Sequence, residues 1–325
     1  MGRTGAYARL SVGVEDSFNA GAASPDGHTM PLISFSGGLA QGMFPSDELL
    51  SAASPGQPYY GANQCSGDLV MPVENLGLGF LLRRFLTTYT KAGAEAPYTH
   101  EFKIGATAPG SLWLEVGDAS LDKWDQYGGI RPVSLRGQFS KTNGMARLTW
   151  GLLGSGKTIA MNTGTDYDAS LTAYTSSLRH SGVDTTVKIN GSAVADIETI
   201  DFTIERVAEA INCLDGNKYA SAIELGQFKV SGTLTALWDS ADTYRAVAIA
   251  GTEKSIEIIS PKPGVSTRYV SFFFQECYLF AAQAAAVSGP GPLRMPISWQ
   301  AYYADGAKTA AACVTLANES SADLA

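Results

Sequence analysis

The chain has 325 residues, of which 45 % are apolar and only 17 % are charged, and its formal net charge is −8. This length is enough for about two domains of ordinary size, and the composition is that of a folded protein, which argues against a disordered chain. The acidic balance argues against tight binding to phosphate backbones, because that affinity comes from Lys and Arg side chains.

Cysteine and histidine usage argues against a metal site. Structural zinc sites use closely spaced ligands, and here no two cysteines form a Cys-x-x-Cys pair and only three histidines occur. We therefore expect reduced, structural thiols. The chain shows neither the apolar core of a signal peptide nor the ~18 unbroken apolar residues of a membrane-spanning helix, so we expect synthesis in a cytoplasm. The four cysteines are Cys65, Cys213, Cys277 and Cys313, and the three histidines are His28, His100 and His180.

The first predicted element is an N-terminal arm with short strands, over residues 1–60. The alternating stretch Ala8–Val14 predicts a strand, and five prolines between residues 25 and 58 interrupt any longer element. We predict that this otherwise irregular arm lies along a neighbouring surface or is ordered by assembly. A disordered terminus is the alternative.

Residues 61–160 predict a first β unit. An apolar helix over Leu76–Leu86 follows its first strand, and Asn75 is the candidate N-cap of this helix. Asn143-Gly144 lies between two alternating runs and indicates a tight hairpin. The predicted strands are Gln64–Val73, Ser111–Val116, Tyr127–Phe139 and Ala146–Trp150.

Residues 161–186 are rich in Thr, Ser, Asp and Gly and are the predicted linker.

The second unit spans residues 187–317, and its Asn190-Gly191 pair predicts another hairpin. Val207–Leu225 is polar and joins two alternating strands, so we predict a long hairpin loop over 207–225. A loop of more than ~12 residues in a compact unit is usually functional. Residues 318–325 predict a polar C-terminal tail.

The later part of the second unit predicts one helix and several strands. The helix spans Ala241–Ile249, with Asp239 or Ser240 as its N-cap. The strands that follow are Ser255–Ile259, Arg268–Phe280, Pro296–Tyr303 and Ala311–Leu316.

The order strand, helix, strand, strand occurs twice along the chain. Gly67-Asp-Leu aligns with Gly232-Thr-Leu at a separation of 165 positions, and Glu115 aligns with Glu257 at a separation of 142. The difference of 23 residues places an insertion in the first copy, around Lys91–Pro109. A duplicated β unit without a catalytic cluster indicates a building block for assembly.

One motif favours a different function. Gly151–Thr158 matches the Walker A pattern, in which Lys157 would contact the terminal phosphates and Thr158 would hold magnesium. A phosphate-binding loop must open a helix, but only three residues separate Thr158 from Asn162-Thr-Gly-Thr. We therefore predict a turn at this segment and keep a P-loop nucleotide-binding enzyme as the alternative.

No catalytic, cofactor-binding or metal-binding residue is predicted. The three histidines are far apart in sequence and have turn-forming neighbours, and nothing fixes a nucleophile or a carboxylate beside any of them. The sequence therefore predicts that the protein is not an enzyme and needs no cofactor.

The residues resemble a known family. The first half contains Gly67-Asp-Leu, Gly79-Phe-Leu-Leu, Tyr98-Thr-His-Glu-Phe, Ser111-Leu-Trp-Leu-Glu-Val and Tyr127-Gly-Gly-Ile, and the second contains Ile200-Asp-Phe-Thr-Ile-Glu, Gly226-Gln-Phe-Lys-Val-Ser-Gly-Thr-Leu-Thr and Ser255-Ile-Glu-Ile-Ile. In this order they resemble the larger, two-unit tail tube proteins of long-tailed bacteriophages over nearly the whole chain. The Phe-rich strand Phe272–Phe280 departs from the pattern.

The resemblance implies a mainly β fold with two tandem β-sandwich or barrel tail-tube units, each with a short flanking helix. It implies a structural virion protein whose units join edge to edge into rings, and the rings stack into a tube that delivers DNA. The implied partners are other copies of the chain, the tape measure protein, the tail terminator and the distal tail protein, with no membrane partner.

Duplication adds an expectation about symmetry. If a ring holds six units and each chain carries two, a homotrimer closes it with pseudo-six-fold symmetry. For the ring, a hexamer with one tube unit per chain is the alternative. For the function, another virion or surface β-sandwich module is a further alternative. Because each copy brings a charge of −8, we expect an acidic channel that DNA passes without sticking.

Overall fold

The structure is a computed structural model, and it describes residues 7–22, 26–47, 56–105, 107, 109–142, 144–173, 179–280, 293–303 and 311–320. Of residues 173 and 238–243 it describes the backbone alone. The fold is mainly β, as predicted, with two helices among the described residues.

Pairings join the described strands into one network, in which every pairing is antiparallel except the short parallel pair of β10 with β2. Helix α1 spans Leu78–Leu86 and α2 spans Trp238–Ala250. The strands are β1 (Ala8–Val14), β2 (Gly27–Met30), β3 (Ser34–Phe44), β4 (Tyr59–Pro72), β5 (Thr87–Ala92), β6 (Tyr98–Ile104), β7 (Leu112–Asp118), β8 (Lys123–Ser140), β9 (Arg147–Thr163), β10 (Thr172–Ala173), β11 (Thr186–Ile189), β12 (Ser192–Val194), β13 (Ile197–Ile211), β14 (Ala222–Leu237), β15 (Lys254–Lys262), β16 (Val265–Phe280), β17 (Arg294–Tyr302) and β18 (Cys313–Asn318).

The central layer of the fold is the run of neighbouring strands β3, β4, β9, β8, β13, β14, β17 and β16. Alternation along these strands separates an apolar face from a polar one. In β13, Ile200, Phe202 and Ile204 are buried, while Asp201 and Thr203 between them are only half-buried. The strictly alternating sequence predicts this arrangement, and the apolar face forms the core.

Helix α1 lies on the core face of the first half, against β5, β6 and β8. Seven of its nine residues are buried, in keeping with its apolar sequence. The predicted N-cap is wrong. Asn75 donates a side-chain hydrogen bond to the Ala317 carbonyl (3.2 Å), and Glu74 accepts from the Leu78 backbone N–H (3.1 Å). The longer Glu74 side chain reaches the first turn, and Asn75 instead fixes the last strand.

Helix α2 lies against β14, β16 and β17, and it follows β14 as α1 follows β4. It begins at Trp238, three residues before the predicted start, and Leu237 is its N-cap residue. Asp239 and Ser240 are therefore inside the helix. It ends at Ala250, and the left-handed backbone of Gly251 (φ +62°) lets the Thr252 N–H reach the Val247 carbonyl (3.2 Å).

The predicted 23-residue insertion in the first half corresponds to a pair of strands. Strands β5 and β6 form a hairpin between α1 and β7, and nothing separates α2 from β15 in the second half except a short turn. Strand β6 also pairs with β18, the last strand of the chain. The insertion thus ties the C-terminal strand to the first half.

Several predicted loops are regular structure. The arm over residues 1–60 contributes β1, β2 and β3, and β1 pairs along its whole length with β7. Strands β13 and β14 pair as far as Ile211 and Ala222, so nine of the 19 residues of the predicted loop 207–225 are strand, and the connection covers residues 212–221. The composition of these two segments predicted loops, because small and polar residues are common in loops. Such residues also occur on the exposed face of a strand.

Boundary predictions near the linker and the tail also need correction. The linker 161–186 begins inside β9 and contains β10, and residues 174–178 of it lie outside the described residues. The tail 318–325 begins with Asn318, a fully buried end of β18 that donates to the Asn75 carbonyl (2.6 Å). Residues 321–325 lie outside the described part of the chain.

The two predicted Asn-Gly hairpins differ. Asn190 and Gly191 have φ values of +50° and +77° and connect β11 to β12 in a two-residue turn, as predicted. Strands β8 and β9 also form a hairpin, but their connection is longer, over residues 141–146, and Asn143 lies outside the described residues.

The Walker A match is neither a phosphate loop nor the predicted turn. Gly151–Thr158 lies inside β9, where Gly154 pairs with Cys65 of β4 and Lys157 pairs with Gly128 of β8. A Cβ at Gly156, which has φ +83°, would lie 2.4 Å from the Asn63 carbonyl oxygen. Here the glycines allow close strand contact.

Candidate assembly surface

The two long hairpins, β3–β4 and β13–β14, have the same register. Gly37 pairs with Gly67, and Phe202 pairs with Gly232, so both strands of the second hairpin lie 165 positions after those of the first. The two hairpins share a bulge, between Gln41 and Met43 in β3 and between Arg206 and Ala208 in β13, again 165 positions apart, and β13 has a second register shift between Ile197 and Thr199. A shared irregularity is a more specific sign of common design than shared strand order.

The strands after the helices repeat in the same way. Glu115 of β7 pairs with Gln126 of β8, and Glu257 of β15 pairs with Phe273 of β16. On their other edges β7 pairs with β1, and β15 pairs with β11. Strand β9 pairs with β4 and β8, and β17 pairs with β14 and β16. The pairing scheme of the first half therefore recurs in the second.

The two halves meet edge to edge within the chain. The C-terminal part of β8 pairs with β13, from Ser134 with Glu205 to Ser140 with Thr199. An aromatic cluster spans this junction on the core side, where the Phe202 ring lies 6.4 Å from that of Phe139 and 4.7 Å from that of Phe272. The junction is thus a continuous sheet over a shared core.

The edge of the first half is different. Among the described strands, β3 pairs only with β4. Its core-facing residues Phe35 and Leu39 pack against the core but are only half-buried. Strand β3 is the counterpart of β13. The equivalent edge is therefore paired with β8 in the second half, and it is unpaired among the described strands in the first half.

The polar face of the central layer carries charges of both signs, and some of them form pairs. Lys229 of β14 lies 3.7 Å from Glu205 of β13, and Arg294 of β17 pairs with Glu198. Asp201 accepts from the Thr233 backbone N–H (3.0 Å). Between these groups the face presents short polar side chains, among them Ser134, Ser231, Thr199, Thr203 and Ser298.

The ends of the two long hairpins differ in chemistry. The first hairpin exposes Met43, Phe44, Tyr59 and Tyr60, each by more than half of its surface. The counterparts of Phe44 and Tyr59 in the second hairpin are Glu209 and Glu224. One hairpin end is therefore apolar and aromatic, and the other is acidic.

The connection 212–221 of the second hairpin bends back onto the first half. The Ala220 backbone N–H donates to the Ser155 carbonyl (2.8 Å), and the Asn63 N–H donates to the Lys218 carbonyl (2.5 Å). Leu214 in the same connection is fully exposed. One side of the connection is thus anchored, and the other is available for contact.

The structure separates the residues that sequence singles out for chemistry. Lys157 donates its ammonium to the Asn19 carbonyl, and its backbone N–H donates to Ser155 Oγ (3.2 Å), so these groups are used internally. Within the described residues, no group of three or more His, Cys, Asp or Glu side chains is arranged to hold a metal ion. Neither described helix is long and apolar enough to cross a membrane.

Each histidine has its own surroundings. His28 lies 5.0 Å from the Phe80 ring, and burial lowers its pKa. His100 is buried and bonds to Tyr89 Oη (2.9 Å) and to Asn318 Oδ1 (3.0 Å). His180 is buried, its Nδ1 donates to the Ser260 carbonyl (2.8 Å), and burial lowers its pKa. These contacts connect strands and loops, and they bring no two histidines together.

Sequence reasoning assigned no structural role to two carboxylates that are buried in the fold. Glu115 is fully buried and accepts from Arg9 (3.1 Å), Gln126 (2.8 Å) and the Tyr167 backbone N–H (2.7 Å). Glu15 accepts from the Gly129 N–H (3.1 Å). Both carboxylates join the N-terminal arm to the rest of the first half, because Glu115 binds Arg9 of the arm and Glu15 of the arm binds Gly129. The signal in the sequence was an acid inside an apolar strand, Leu112–Val116.

Comparison with protein families gives a match over nearly the whole chain. A family model described as phage tail tube protein matches residues 5–301, which is nearly the whole chain. No curated protein sequence matches the chain.

Proposed function

The chain belongs to the phage tail tube protein family, and we propose that three copies of it form each ring of the tube. As a member of this family it is a structural subunit of the tail tube and lies in the tail of the virion. Self-assembly into a tube follows from the family, and the number of copies in a ring is the proposal.

The repeated pairing scheme carries the proposal. Two tube units are proposed for each chain, and strands β3–β4–β9–β8 of the first correspond to β13–β14–β17–β16 of the second. The proposed first unit takes in β1–β3 of the arm and ends with β9, and the proposed second unit runs from β11 through β17. Rings of six units then need three chains, while six chains with one tube unit each remain the alternative.

We propose that the polar face of the central layer lines the channel. Pairing of Lys229 with Glu205 and of Arg294 with Glu198 leaves fewer positive groups to hold phosphates, and Arg136 and Arg147 are two further exposed cations on the same face. The net charge of −8 per chain adds general repulsion of DNA. DNA would pass this surface without specific binding during delivery into the host.

Contacts between stacked rings are proposed at the segment Val207–Leu225 and at the N-terminal arm. Val207 and Leu214 are exposed in the first of these, and β3 in the arm ends in the exposed Met43 and Phe44. Apolar side chains this exposed at the ends of long hairpins favour contact with another surface. The tape measure protein, tail terminator and distal tail protein are the proposed partners inside and at the ends of the tube.

We also propose that the protein has no enzymatic role. The segment that matches Walker A is strand, it opens no helix, and Lys157 already binds a carbonyl within the chain. A phosphate site needs free backbone N–H groups at a helix N-terminus, so the alternative of a nucleotide-hydrolysing enzyme has no support in this geometry.

Electron microscopy of the purified protein tests the proposal. We expect rings or tubes with a central channel, and class averages with three-fold symmetry that approximates six-fold. Native mass spectrometry of single rings then counts copies of the 34.2 kDa chain. Six copies in a ring would overturn the trimer and leave the tube intact, and dispersed monomers at all concentrations would contradict assembly itself.

A further inference from the structure

We propose that the arm loop, residues 15–22, fixes the position of the hairpin connection, residues 212–221, and that Asn19 is the residue that positions it. The inference rests on the proposed contacts between stacked rings, and it makes the arm and the connection one coupled unit. The connection is then ordered before the next ring arrives. A segment that is already ordered loses less conformational freedom when it binds.

Asn19 bonds to two parts of the chain that are distant from it in sequence. Its side-chain amide donates to the Ala220 carbonyl of the hairpin connection (3.0 Å), and its side-chain oxygen accepts from the Ser155 hydroxyl of β9 (2.5 Å). The Lys157 ammonium of β9 donates to the Asn19 backbone carbonyl. One residue of the arm thus holds the connection against β9.

The hairpin connection is held at one end and exposed at the other. Ala220 is 1 % exposed, and both of its backbone polar groups are used, because its N–H donates to the Ser155 carbonyl (2.8 Å) and its C=O accepts from Asn19. Residues 212–217 are exposed, and Leu214 is fully so. The anchored end therefore decides where the exposed end is presented.

A second link joins the arm loop to β14, the strand that follows the connection. Arg131 of β8 donates to the Ile223 carbonyl (3.3 Å), and its guanidinium lies 5.4 Å from the centre of the Phe18 ring. Burial lowers the pKa of Arg131, while the carboxylates of Glu15 and Glu224 act in the opposite direction. The guanidinium is thus placed between an acid of the arm loop and an acid of β14.

The arm loop is itself fixed from within. The Glu15 carboxylate accepts from the backbone N–H groups of Gly129 (3.1 Å) and Asn19 (3.3 Å). The Asp16 N–H donates to the Gly21 carbonyl (2.9 Å) and closes the loop. Asn19 has a left-handed backbone (φ +64°), which asparagine adopts more readily than most residues. The loop can therefore serve as a rigid support for the connection.

The arm loop is an addition to the first half. Strand β11 corresponds to β1, because β11 pairs with β15 as β1 pairs with β7. The two-residue turn Asn190-Gly191 joins β11 to β12, whereas residues 15–26 join β1 to β2. Two residues are enough to connect such strands. The extra length in the first half is used for contact with the second hairpin.

Hydrogen exchange of the monomer, measured by mass spectrometry, tests the coupling. Asn19→Gly removes the side chain, and glycine suits the left-handed backbone. We expect the peptide that contains Ala220 to exchange at least tenfold faster in this variant. Peptides from β15 should not change, because β11 and β16 cover both edges of that strand.

Asn162→Gly is the matched control variant. Asn162 also has a left-handed backbone (φ +50°), and its side chain is exposed at the end of β9. We expect wild-type exchange throughout the hairpin connection in this variant. Unchanged exchange at Ala220 in Asn19→Gly, or an equal acceleration in Asn162→Gly, would overturn the inference.

Assembly separates positioning from general stability. We expect Asn19→Gly to form rings at the wild-type concentration and to need at least a tenfold higher concentration for tubes, as measured by sedimentation and electron microscopy. Tubes at the wild-type concentration, or an equal loss of rings, would contradict a positioning role and leave the tube function standing. A wild type that forms rings but never tubes would overturn the proposed ring contacts, and with them this role of Asn19.

Discussion

Gly67 and Gly232 hold equivalent places in the two long hairpins, and each faces the backbone of the neighbouring strand. A Cβ at Gly232 would lie 2.2 Å from the Asp201 carbonyl oxygen, and one at Gly67 would lie 2.7 Å from the Ser36 carbonyl oxygen. Ser36 and Asp201 are themselves counterparts in the shared register. The same close contact of backbones thus occurs twice.

Replacing either glycine by alanine is expected to destabilise the fold. The new methyl group meets backbone atoms that cannot move without shifting a strand, so we expect Gly67→Ala and Gly232→Ala each to lower the free energy of unfolding by about 1–3 kcal/mol. Urea unfolding of the monomer measures the change.

Gly38→Ala is the matched control for these two glycines. It lies in the same hairpin, and a Cβ there would meet nothing within 4 Å. We expect it to be neutral or to stabilise the protein by up to about 1 kcal/mol, because it reduces the freedom of the unfolded chain. Equal losses at Gly38 and Gly232 would show that steric contact is not the cause.

The duplication could be predicted from the sequence because the order of predicted elements repeats and a few residues align between the two copies. Gly67 with Gly232 and Glu115 with Glu257 gave two separations, and their difference located the β5–β6 insertion. Apolar alternation likewise predicted β13, since it reports directly which side chains face the core.

The full extent of the hairpins could not be predicted. Strand β3 and the inner parts of the segment 207–225 are held by backbone pairing, while their side chains are small, polar or exposed. The free edge of β3 was equally hidden, because which strand lies beside another depends on contacts distant in sequence. The contact of Glu74 with the first turn of α1 could not be predicted either. The Glu74 carboxylate accepts from the Leu78 N–H only because of the turn that the backbone makes before the helix.

Removing the charge of Glu115 is expected to cost far more than removing that of its counterpart Glu257. Glu115 is fully buried with three donors, and breaking such an arrangement typically costs about 3–5 kcal/mol. Glu257 lies 3.5 Å from Lys188 in a partly exposed pair, which is worth up to about 1 kcal/mol. Thermal unfolding of Glu115→Gln and Glu257→Gln measures the difference, and similar losses would contradict a structural role for the buried carboxylate.

Cys213 is expected to be the cysteine that reacts in the native protein. It is exposed, whereas Cys65, Cys277 and Cys313 are buried. Burial raises the pKa of Cys65 to about 11 and that of Cys277 to about 12, and alkylation needs the thiolate. At pH 8, iodoacetamide should modify one thiol in the folded chain and four after denaturation, as counted by mass spectrometry.

The same reagent tests the ring-stacking contacts. Cys213 lies in the connection between β13 and β14, in the segment proposed to contact the next ring. We expect its modification to slow at least tenfold in tubes, while the rate in single rings stays that of the monomer. An unchanged rate in tubes would remove this connection from the proposed contacts.

Wild-type protein is expected not to bind nucleotide, since its Walker A match is a strand. Isothermal titration with ATP and magnesium should give no heat of binding. Lys157→Ala should lower stability through the lost contact with the Asn19 carbonyl, without a change in that titration. Saturable binding that disappears in Lys157→Ala would revive the enzyme alternative.

Stability is expected to fall as the pH drops below about 6.5, and His180 contributes to the change. Burial and the nearby Lys262 lower its pKa in the folded state, against the effect of its bond to Ser260. The unfolded chain has the ordinary value of about 6.5 and so takes up the proton first, which favours unfolding by at most about 1.4 kcal/mol per pH unit. His28 acts in the same direction. His180→Asn can keep a donor to the Ser260 carbonyl without titrating, so urea unfolding at pH 5, 6 and 7 should show a smaller slope for this variant, and an unchanged slope would exclude His180 as a cause.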